Sequence, residues 1–423
     1  MTGHSPVWHP FTQHGLRDPI PVVERGDGAA LYTQDGRRII DAISSWWVTT
    51  HGHNHPRIIA AIADQAQKLD QVIFAGWTHE PAETLARGLT QIMPRALEYV
   101  FFCDSGSTSV EVALKMALGF WHNRGETRHR ILVLQHSYHG DTIGAMSVGE
   151  RGIYNRSYQP LLFDVGTIPF PHAGAEQATY DALEHACRSG EIAAFIVEPL
   201  VLGAGGMLIY APAVLAQMRA ICAQYGVLFI ADEVMTGWGR TGTFLACEQA
   251  GVVPDILCLA KGLTGGSMPL AVTMASAQVY DAHYSADRSK QFFHSSSFTA
   301  NPIACAAANA NLAIWRDEPV LERIATLAAR EAAGFARIVD ARNGGRPGIT
   351  NLRQCGTIIA FDIDAEDAGY LSQLGPRLLA SFRDQDILLR PLGNTIYLMP
   401  PYCISQADLD TVFAAIEVAL DQV

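Results

Sequence analysis

The sequence lacks the features that mark membrane proteins and nucleic-acid-binding proteins. No apolar run reaches the ~18 to 20 residues that a membrane span requires. The first residues lack the basic and then apolar pattern of a signal peptide. Charged residues make up only 17%, and the net charge is −12. This acidic balance argues against nucleic acid or an anionic membrane as the main partner, so we expect a cytoplasmic protein that acts on small molecules.

Clustered cysteines are also absent. The eight cysteines are scattered so that no two lie within ten residues of each other, which excludes a CxxC zinc or redox motif. We therefore expect buried thiols in a reducing compartment. The histidines at 51, 53 and 55 match no standard zinc spacing and have no acid or thiol nearby, so no metal site is predicted.

Hydrophobic residues make up 49% of the 423 residues, enough for a large core and two domains. From about residue 98, apolar runs such as 131–134 and 227–231 alternate with helical patterns. This alternation predicts an α/β fold, in which helices cover both faces of a mostly parallel sheet. The C-terminal pattern predicts a smaller α+β domain. We expect the large domain to span 56–310 and the small domain to span 311–423. Residues 1–55 should form a hairpin about Asp35-Gly36 and join the small domain.

Three local patterns suggest a catalytic site. Lys261 follows an apolar run and precedes a glycine pair, a place where desolvation lowers the pKa of an amine and frees it for Schiff-base chemistry. The hydroxyl-rich stretch at 104–109 follows a strand and opens a helix, which suits a phosphate group. Asp232 ends an apolar run, and strand ends of this kind form the ligand crevice of parallel sheets.

Each pattern has a simpler explanation when it is taken alone. Lys261 could be a solvated loop residue, the stretch at 104–109 a capped helix, and Asp232 a carboxylate bound to backbone amides. Together, in this order, they are what a pyridoxal phosphate site requires. The lysine holds the aldehyde, the acid keeps the ring nitrogen protonated, and the helix start binds the phosphate.

A competing motif lies at 237–242, where the sequence fits G-x-G-x-x-G after a strand and Asp255 follows near the expected distance. That pattern would indicate a dinucleotide-binding oxidoreductase. Pro254 limits any helix after Phe244, and Arg240 crowds a loop that should admit a pyrophosphate. We interpret the glycines as part of an active-site loop in which Arg240 is available for an anionic group.

Longer motifs carry a resemblance to a known family. These are Asp-Ser-Gly-Ser-Thr at 104–108, Ser-Tyr-His-Gly at 137–140, Glu-Pro at 198–199 and the runs at 231–242 and 261–266. Together they resemble the class III pyridoxal-phosphate-dependent aminotransferases over almost the whole chain. The resemblance implies fold type I, aminotransferase activity, pyridoxal 5'-phosphate as cofactor, and a homodimer with shared active sites. A broader ω-aminotransferase and a non-catalytic descendant of the fold are the alternatives, and the intact Lys261 argues against the second.

The same resemblance implies roles for individual residues. Lys261 would form the Schiff base and move a proton, Asp232 would pair with the ring nitrogen, and Val234 and Tyr138 would flank the ring. The implied catalytic residues are Lys261, Asp232 and Tyr138. The implied cofactor-binding residues are Ser105, Gly106, Ser107, Tyr138, His139, Glu198, Asp232, Val234 and Lys261, with Ser296 and Ser297 from the partner subunit. The implied substrate-binding residues are Phe11, Trp46, Trp47, Tyr138, Arg240, Lys261, Ser295 and Arg390.

Two positions depart from the family pattern. Phe11 stands where a tyrosine is expected, so an aromatic face remains but a hydroxyl is missing. The loop at 293–298 is rich in serine where a glycine and a threonine are expected. Phosphate binding should tolerate the second change, whereas the identity of the amino donor is left open by both.

Overall fold

The structure is a computed structural model that describes residues 5–342, 348–364 and 372–422. Sixteen strands occur in this part of the chain. They are β1 (Val23–Asp27), β2 (Ala30–Thr33), β3 (Arg38–Asp41), β4 (Leu97–Cys103), β5 (Arg130–Leu134), β6 (Gly166–Ile168), β7 (Ile192–Val197), β8 (Val201–Leu202), β9 (Leu208–Ile209), β10 (Leu228–Asp232), β11 (Ile256–Leu259), β12 (Ala271–Ser276), β13 (Ile349–Cys355), β14 (Ile358–Ile363), β15 (Ile387–Leu388) and β16 (Thr395–Leu398).

Thirteen helices lie in the same described residues. They are α1 (Ser44–Trp47), α2 (Pro56–Ala66), α3 (Glu80–Ile92), α4 (Gly106–Asn123), α5 (Ile143–Ser147), α6 (Glu176–Cys187), α7 (Pro212–Gln224), α8 (Ala246–Gln249), α9 (Ala277–Asp281), α10 (Pro302–Asp317), α11 (Val320–Arg342), α12 (Leu374–Asp384) and α13 (Gln406–Asp421).

A seven-stranded sheet forms the centre of the molecule, with the strand order β4-β12-β11-β10-β7-β5-β6. The pairs from β11 to β6 are parallel, and β12 is antiparallel to both of its neighbours. Strand β4 therefore points the same way as the parallel strands. The expected mostly parallel sheet is confirmed, and the reversed strand β12 was not predicted.

Both faces of this sheet are buried, as the continuous apolar strands require. In β10, Leu228 and Ile230 pack into a core that includes Phe120 and Trp121 of α4. The alternate residues Phe229 and Ala231 pack on the opposite face into the larger core, which includes residues of α7 and α10. Successive side chains of a strand point to opposite faces, so one strand contributes to both cores.

The two ends of the chain meet in a second, four-stranded sheet of order β1-β2-β3-β15. Strands β2 and β3 form the predicted hairpin about Asp35-Gly36, and β15 pairs in parallel with β3. Strands β13, β14 and β16 form a three-stranded sheet that packs with α11. The N-terminal hairpin thus joins C-terminal elements in one sheet, and the domain division stays a prediction.

Some expectations change in detail. The sequence pattern at 370–385 predicts a helix, and the structure has α12 (Leu374–Asp384) there, with residues 370 and 371 outside the described residues. All eight cysteines are free thiols, and six of them are buried. The expectation of burial is wrong for Cys403, which is exposed in a surface turn, and only partly right for the half-buried Cys355. No helix in the described ranges is long and apolar enough to cross a membrane.

Candidate active site

A cavity of about 500 Å³ lies at the carboxyl edge of the large sheet. Five strands end at this edge, since strands that point the same way place their carboxyl ends together; they are β4, β5, β7, β10 and β11. A predicted site residue follows each of them. Eleven predicted residues line the cavity. They are Trp46, Trp47, Ser105, Gly106, Ser107, Tyr138, His139, Glu198, Asp232, Val234 and Lys261.

The N-terminus of α4 forms one wall of the cavity. The hydroxyl of Ser105 accepts the backbone N–H of Thr108 at 3.2 Å in a capping box. The first-turn N–H groups of Gly106 and Ser107 have no acceptor within the helix, so they and the positive end of the helix dipole are available for an anion. A Cβ on Gly106 would lie 2.7 Å from Cγ1 of Val234, so only glycine allows α4 to begin this close to the end of β10.

Asp232 lies at the floor of the cavity with its side chain almost fully buried. One carboxylate oxygen accepts the backbone N–H of Val234 at 3.1 Å, and the other lies 2.7 Å from Nδ1 of His139. His139 is itself buried, and its Nε2 has no hydrogen-bond partner among the described residues. The pair fixes the carboxylate and leaves it facing the cavity.

Lys261 enters the cavity from the turn that follows β11. Burial lowers the pKa of its amine to about 8, although the negative charges of Asp232 and Glu198 oppose that shift. Its Nζ lies 4.6 Å from the ring centroid of Trp47, an attractive cation–π contact for the protonated amine. A substantial neutral fraction near physiological pH makes this lysine a nucleophile and a proton acceptor.

Glu198 and Tyr138 complete the polar wall. Glu198 is buried after β7 and accepts the backbone N–H groups of Tyr138 and Gly203, each at 3.0 Å. Burial raises the pKa of its carboxyl group to about 7. Burial also raises the pKa of the Tyr138 phenol, so this side chain stays neutral. Glu198 thus fixes the backbone that carries Tyr138.

The tryptophan pair forms the opposite wall, and both indoles line the cavity. They lie on α1. This short helix contains positive φ angles at Ser44, Ser45 and Trp47. The buried carboxylate of Asp41 accepts the N–H of Ser45 at 2.7 Å and stabilises the distorted turn. Sequence reasoning missed Asp41, whose only signal is an acid at the end of a hairpin strand.

Phe11 and Arg390 lie beside Trp46 but outside the cavity lining. The Phe11 ring is 5.6 Å from the Trp46 ring, and the Arg390 guanidinium is 5.8 Å from it. Arg390 also donates to the Phe11 carbonyl at 3.2 Å. The structure therefore brings the predicted aromatic and cationic groups together next to the cavity.

Four other predicted residues lie away from the lining. Arg240 is 1% exposed, and its guanidinium donates to the carbonyls of Thr49 and Pro400 at 3.0 Å each. Its guanidinium therefore connects two segments of the fold. Ser295, Ser296 and Ser297 lie on a loop outside the cavity lining of their own chain, and the Ser296 hydroxyl donates to Oδ2 of the lining residue Asp104 at 3.2 Å.

The remaining lining residues were not predicted. Half of them, residues 266–270, lie shortly after Lys261 in the sequence, and closeness to the lysine motif is the signal that could have found these five. Gly266 has a φ of +88°, and a Cβ at this position would lie 2.5 Å from the Val48 carbonyl oxygen, so both the backbone conformation and the close approach require glycine. The additional lining residues are Val48, Asp104, Gly140, Met235, Ala260, Gly266, Ser267, Met268, Pro269 and Leu270.

The chemistry of the site is that of an amine, a fixed carboxylate and an anion-binding helix terminus around one cavity. The dinucleotide interpretation of the glycine loop is not supported, because the helix after it, α8, has only four residues and Arg240 is buried among backbone carbonyls. Within residues 5–342, 348–364 and 372–422, no group of three or more His, Cys, Asp or Glu side chains could hold a metal ion.

Comparison with known proteins agrees with this chemistry. Residues 12–420 match the family described as aminotransferase class-III. An adenosylmethionine-8-amino-7-oxononanoate aminotransferase from Synechococcus elongatus is 46% identical, and the match covers all of both chains. An enzyme of the same name from Helicobacter pylori is 37% identical over 98% of this chain and 96% of its own.

Two solved structures are also similar. An adenosylmethionine-8-amino-7-oxononanoate aminotransferase from Methanocaldococcus jannaschii has a TM-score of 0.93 at 31% identity, covering 99% of this chain and 97% of that one. A PLP-bound amine transaminase from an uncultivated Pseudomonas species has the same score and identity, with all of both chains covered. The fold is therefore the fold type I expected from the sequence, and the chain belongs to the class III aminotransferases.

Proposed function

We propose that this protein transfers an amino group from S-adenosylmethionine to 8-amino-7-oxononanoate, giving 7,8-diaminononanoate, a step of biotin biosynthesis. The observation that carries the chemistry is the arrangement of Lys261, Asp232 and the N-terminus of α4 around one cavity. The full-length identity of 46% to an enzyme of that name supports the choice of substrates.

The residues present fit pyridoxal 5'-phosphate as the cofactor. The molecule carries a phosphate, an aldehyde and a basic ring nitrogen, and the cavity offers a group suited to each. Gly106 lets the start of α4 come close to Val234, and this brings the free N–H groups of the helix to the cavity. Nε2 of His139 is buried and has no hydrogen-bond partner among the described residues. Both features leave polar groups that a bound molecule could contact. The proposed cofactor-binding residues are Ser105, Gly106, Ser107, Tyr138, His139, Glu198, Asp232, Val234 and Lys261.

When bound, pyridoxal phosphate supplies a carbonyl that combines with amines and a ring that accepts electrons from the adjacent C–H bond. Lys261 holds the cofactor through its neutral amine and, once released by substrate, carries a proton between two carbons. A lowered pKa, about 8 here, suits this exchange because the amine can accept and return a proton near neutral pH.

Asp232 keeps a proton on the ring nitrogen. An anion placed within hydrogen-bond reach favours the protonated form of a basic group, and the site excludes the water that would screen that charge. His139 and the Val234 N–H hold the carboxylate in one orientation, so no reorganisation is needed during the reaction. Tyr138 and Val234, which both line the cavity, would pack against the ring of the cofactor.

Trp46 and Trp47 wall the space for the substrates, and Arg390 holds the carboxylate of the oxononanoate. Arginine suits this role because its planar guanidinium binds a carboxylate through two parallel hydrogen bonds. Phe11 offers an aromatic face to the donor beside Trp46. An aromatic face without a hydroxyl can stack on adenine but cannot donate a hydrogen bond.

We also propose a homodimer in which Ser296 and Ser297 of the partner subunit complete the phosphate site, with Ser295 near the substrate. This loop lies outside its own cavity while carrying the hydroxyls that a phosphate would bind. The eight free thiols favour a reducing, cytoplasmic location. The large domain would span 56–310, with 1–55 joining the small domain of 311–423.

The test is a half-reaction. Purified enzyme loaded with pyridoxal phosphate is mixed separately with S-adenosylmethionine, lysine and other amines, and the loss of pyridoxal absorbance is followed. S-adenosylmethionine should discharge this absorbance, and 8-amino-7-oxononanoate should restore it. The Lys261→Ala variant should show no steady-state turnover. Appreciable turnover in that variant would overturn the proposed mechanism.

A second candidate is a broader ω-aminotransferase that uses amines or ω-amino acids with a 2-oxo acid. The likeness to an amine transaminase structure at a TM-score of 0.93 favours it. The same experiment separates the two, because discharge by simple amines and restoration by pyruvate, without any response to S-adenosylmethionine, would select the second.

A further inference from the structure

The backbone of Lys261 adopts an unusual conformation. Its φ is +46°, in the left-handed region that residues with a Cβ seldom occupy, and it begins a short 3₁₀ turn, Lys261–Thr264. Such a conformation persists only where the surrounding structure holds it, and it recurs at functional sites. The direction of the lysine side chain depends on this turn, so whatever holds the turn also sets the position of the amine.

Asn311 holds the turn from the middle of α10. It is fully buried, and its amide nitrogen donates to the carbonyls of Gly262 at 2.9 Å and Leu263 at 3.0 Å. These are the two carbonyls that follow Lys261. A buried asparagine in the middle of a helix is not needed for helix formation, because apolar residues serve there better. Its amide instead satisfies two carbonyls that belong to another segment.

His51 fixes the orientation of that amide. Its Nε2 lies 2.9 Å from Oδ1 of Asn311. The amide nitrogen of Asn311 faces the two carbonyls, so its oxygen Oδ1 faces His51. Because an amide oxygen can only accept a hydrogen bond, His51 must carry its proton on Nε2. Burial lowers the pKa of His51 to about 4, so the ring stays neutral under ordinary conditions. The rings of Trp315 and Tyr402 pack edge-on against it at 5.8 and 6.2 Å.

We propose that Asn311, oriented by His51, is a positioning residue for Lys261. It holds the Gly262 and Leu263 carbonyls so that the lysine backbone stays left-handed and the amine stays in the cavity. The inference rests on the proposed aminotransferase function, because it is Lys261 that reacts there. Asn311 itself contacts neither the cavity nor a substrate, and it acts only through the turn.

The main test measures the amine without substrates or cofactor. In cofactor-free protein, Lys261 is labelled with trace acetic anhydride between pH 6 and 11, and its modification relative to the exposed Lys68 is read by mass spectrometry. The wild-type midpoint should lie near 8. In Asn311→Leu the turn relaxes and the amine reaches water, so the midpoint should rise by about one pH unit. In the loaded enzyme, kcat should fall about tenfold while KM changes little.

Asn309→Leu is the matched control. Asn309 lies on the same helix and donates one hydrogen bond to the Pro81 carbonyl, away from the lysine turn. That variant should keep both the midpoint and kcat. An equal shift in Asn309→Leu, or an unchanged midpoint in folded Asn311→Leu, overturns the proposal.

Two substitutions of His51 give a second measurement in case Asn311→Leu does not fold. The amide nitrogen of His51→Gln can replace the Nε2 donor, so this variant should stay within about twofold of the wild-type kcat, whereas His51→Leu should show the raised midpoint. Identical behaviour of the two variants contradicts the proposal. Because labelling uses no substrate, its outcome is separate from the assay of the proposed function, which fails only if the wild-type enzyme does not transaminate.

Discussion

Two neighbouring acids at the end of β10 have opposite surroundings. Asp232 faces the cavity, whereas Glu233 is fully buried on the other side and accepts the backbone N–H groups of Ala246 and Cys247 at the start of α8. Successive residues of a strand point to opposite faces, so the two carboxylates separate into a chemical role and a structural role. Burial raises the pKa of Glu233, and its hydrogen bonds oppose that shift.

This separation predicts different consequences for the two isosteric changes. Asp232→Asn should retain bound cofactor and lose about a hundredfold or more in kcat, because the amide cannot hold the ring proton electrostatically. Glu233→Gln should lower the melting temperature and keep kcat near the wild-type value at a temperature where it is folded. Stopped-flow half-reactions and thermal melts measure both. An unchanged rate in Asp232→Asn would remove the role assigned to that carboxylate.

Lys261 should reduce the stability of the cofactor-free protein near neutral pH. The pKa falls from 10.5 in the unfolded chain to about 8 in the fold, so below pH 8 folding buries a charged ammonium. Between pH 8 and 10.5 the folded protein has already released the proton that the unfolded chain still holds, and stability rises with pH across that window.

Lys261→Met should therefore be more stable than wild type by roughly 1 to 2 kcal/mol at pH 7, and this gain should shrink toward pH 10. Urea unfolding of the cofactor-free proteins at the two pH values measures the difference. Lys68→Met, which removes an exposed lysine paired with Asp64, should show no such pH dependence. A gain of the same size at both pH values would contradict the buried-amine explanation.

At the scale of elements, the position of the N-terminus of α4 depends on its close approach to the end of β10. Gly106→Ala would place a Cβ 2.7 Å from Cγ1 of Val234, so the helix start or the valine must shift. We expect pyridoxal phosphate to bind about tenfold or more weakly, as measured by fluorescence titration, since the N–H groups for the phosphate move with the helix. Gly152→Ala, where a Cβ meets nothing within 4 Å, should bind as wild type does. Equal affinities in the two variants would exclude this role for Gly106.

The elements that could be predicted from sequence are those with a strong local pattern. The β2–β3 hairpin, the strands of the large sheet and helix α2 follow from turn chemistry and apolar periodicity. The direction of β12 could not be predicted, because parallel and antiparallel central strands are equally apolar. The distorted turn of α1 depends on contacts with the nearby Asp41 and with Met399, which is distant in the sequence and which a local pattern does not reveal.

The residues of the site also divide into those with a local sequence signal and those whose role depends on partners elsewhere in the chain. Lys261 and Asp232 were predicted because strand ends of one sheet edge converge, a rule that needs no contact map. For Arg240, a cation in a glycine-rich loop, the local pattern gives no sign of its two carbonyl partners, which come from distant parts of the chain. Asn311 has no sequence signal, because its role depends on a turn 50 residues earlier in the chain.

At the scale of the whole molecule, two segments joined by a hydrogen bond expose large apolar side chains. Ile73, Trp77, Phe293 and Phe298 are each at least 60% exposed, and the amide of Gln71 joins the two segments by donating to the Ser297 carbonyl at 2.6 Å. Exposed apolar surface of this kind marks a protein interface. It carries the serine loop that we propose reaches the active site of a second copy.

Shared sites predict complementation between two inactive variants. Lys261→Ala removes the reacting amine, and Ser297→Glu places a negative charge where the partner's phosphate would bind. If each site uses both subunits, a mixed dimer of these variants contains one doubly defective site and one intact site. Random mixing should then restore about a quarter of the wild-type activity, because half of the dimers are mixed and each has one good site. Coexpression with two affinity tags allows the mixed dimer to be purified, and this dimer should have about half of the wild-type activity because one of its two sites is intact. A mixed dimer without activity, beside Ser297→Glu protein that still folds and dimerises, would show that each cavity is completed by its own chain.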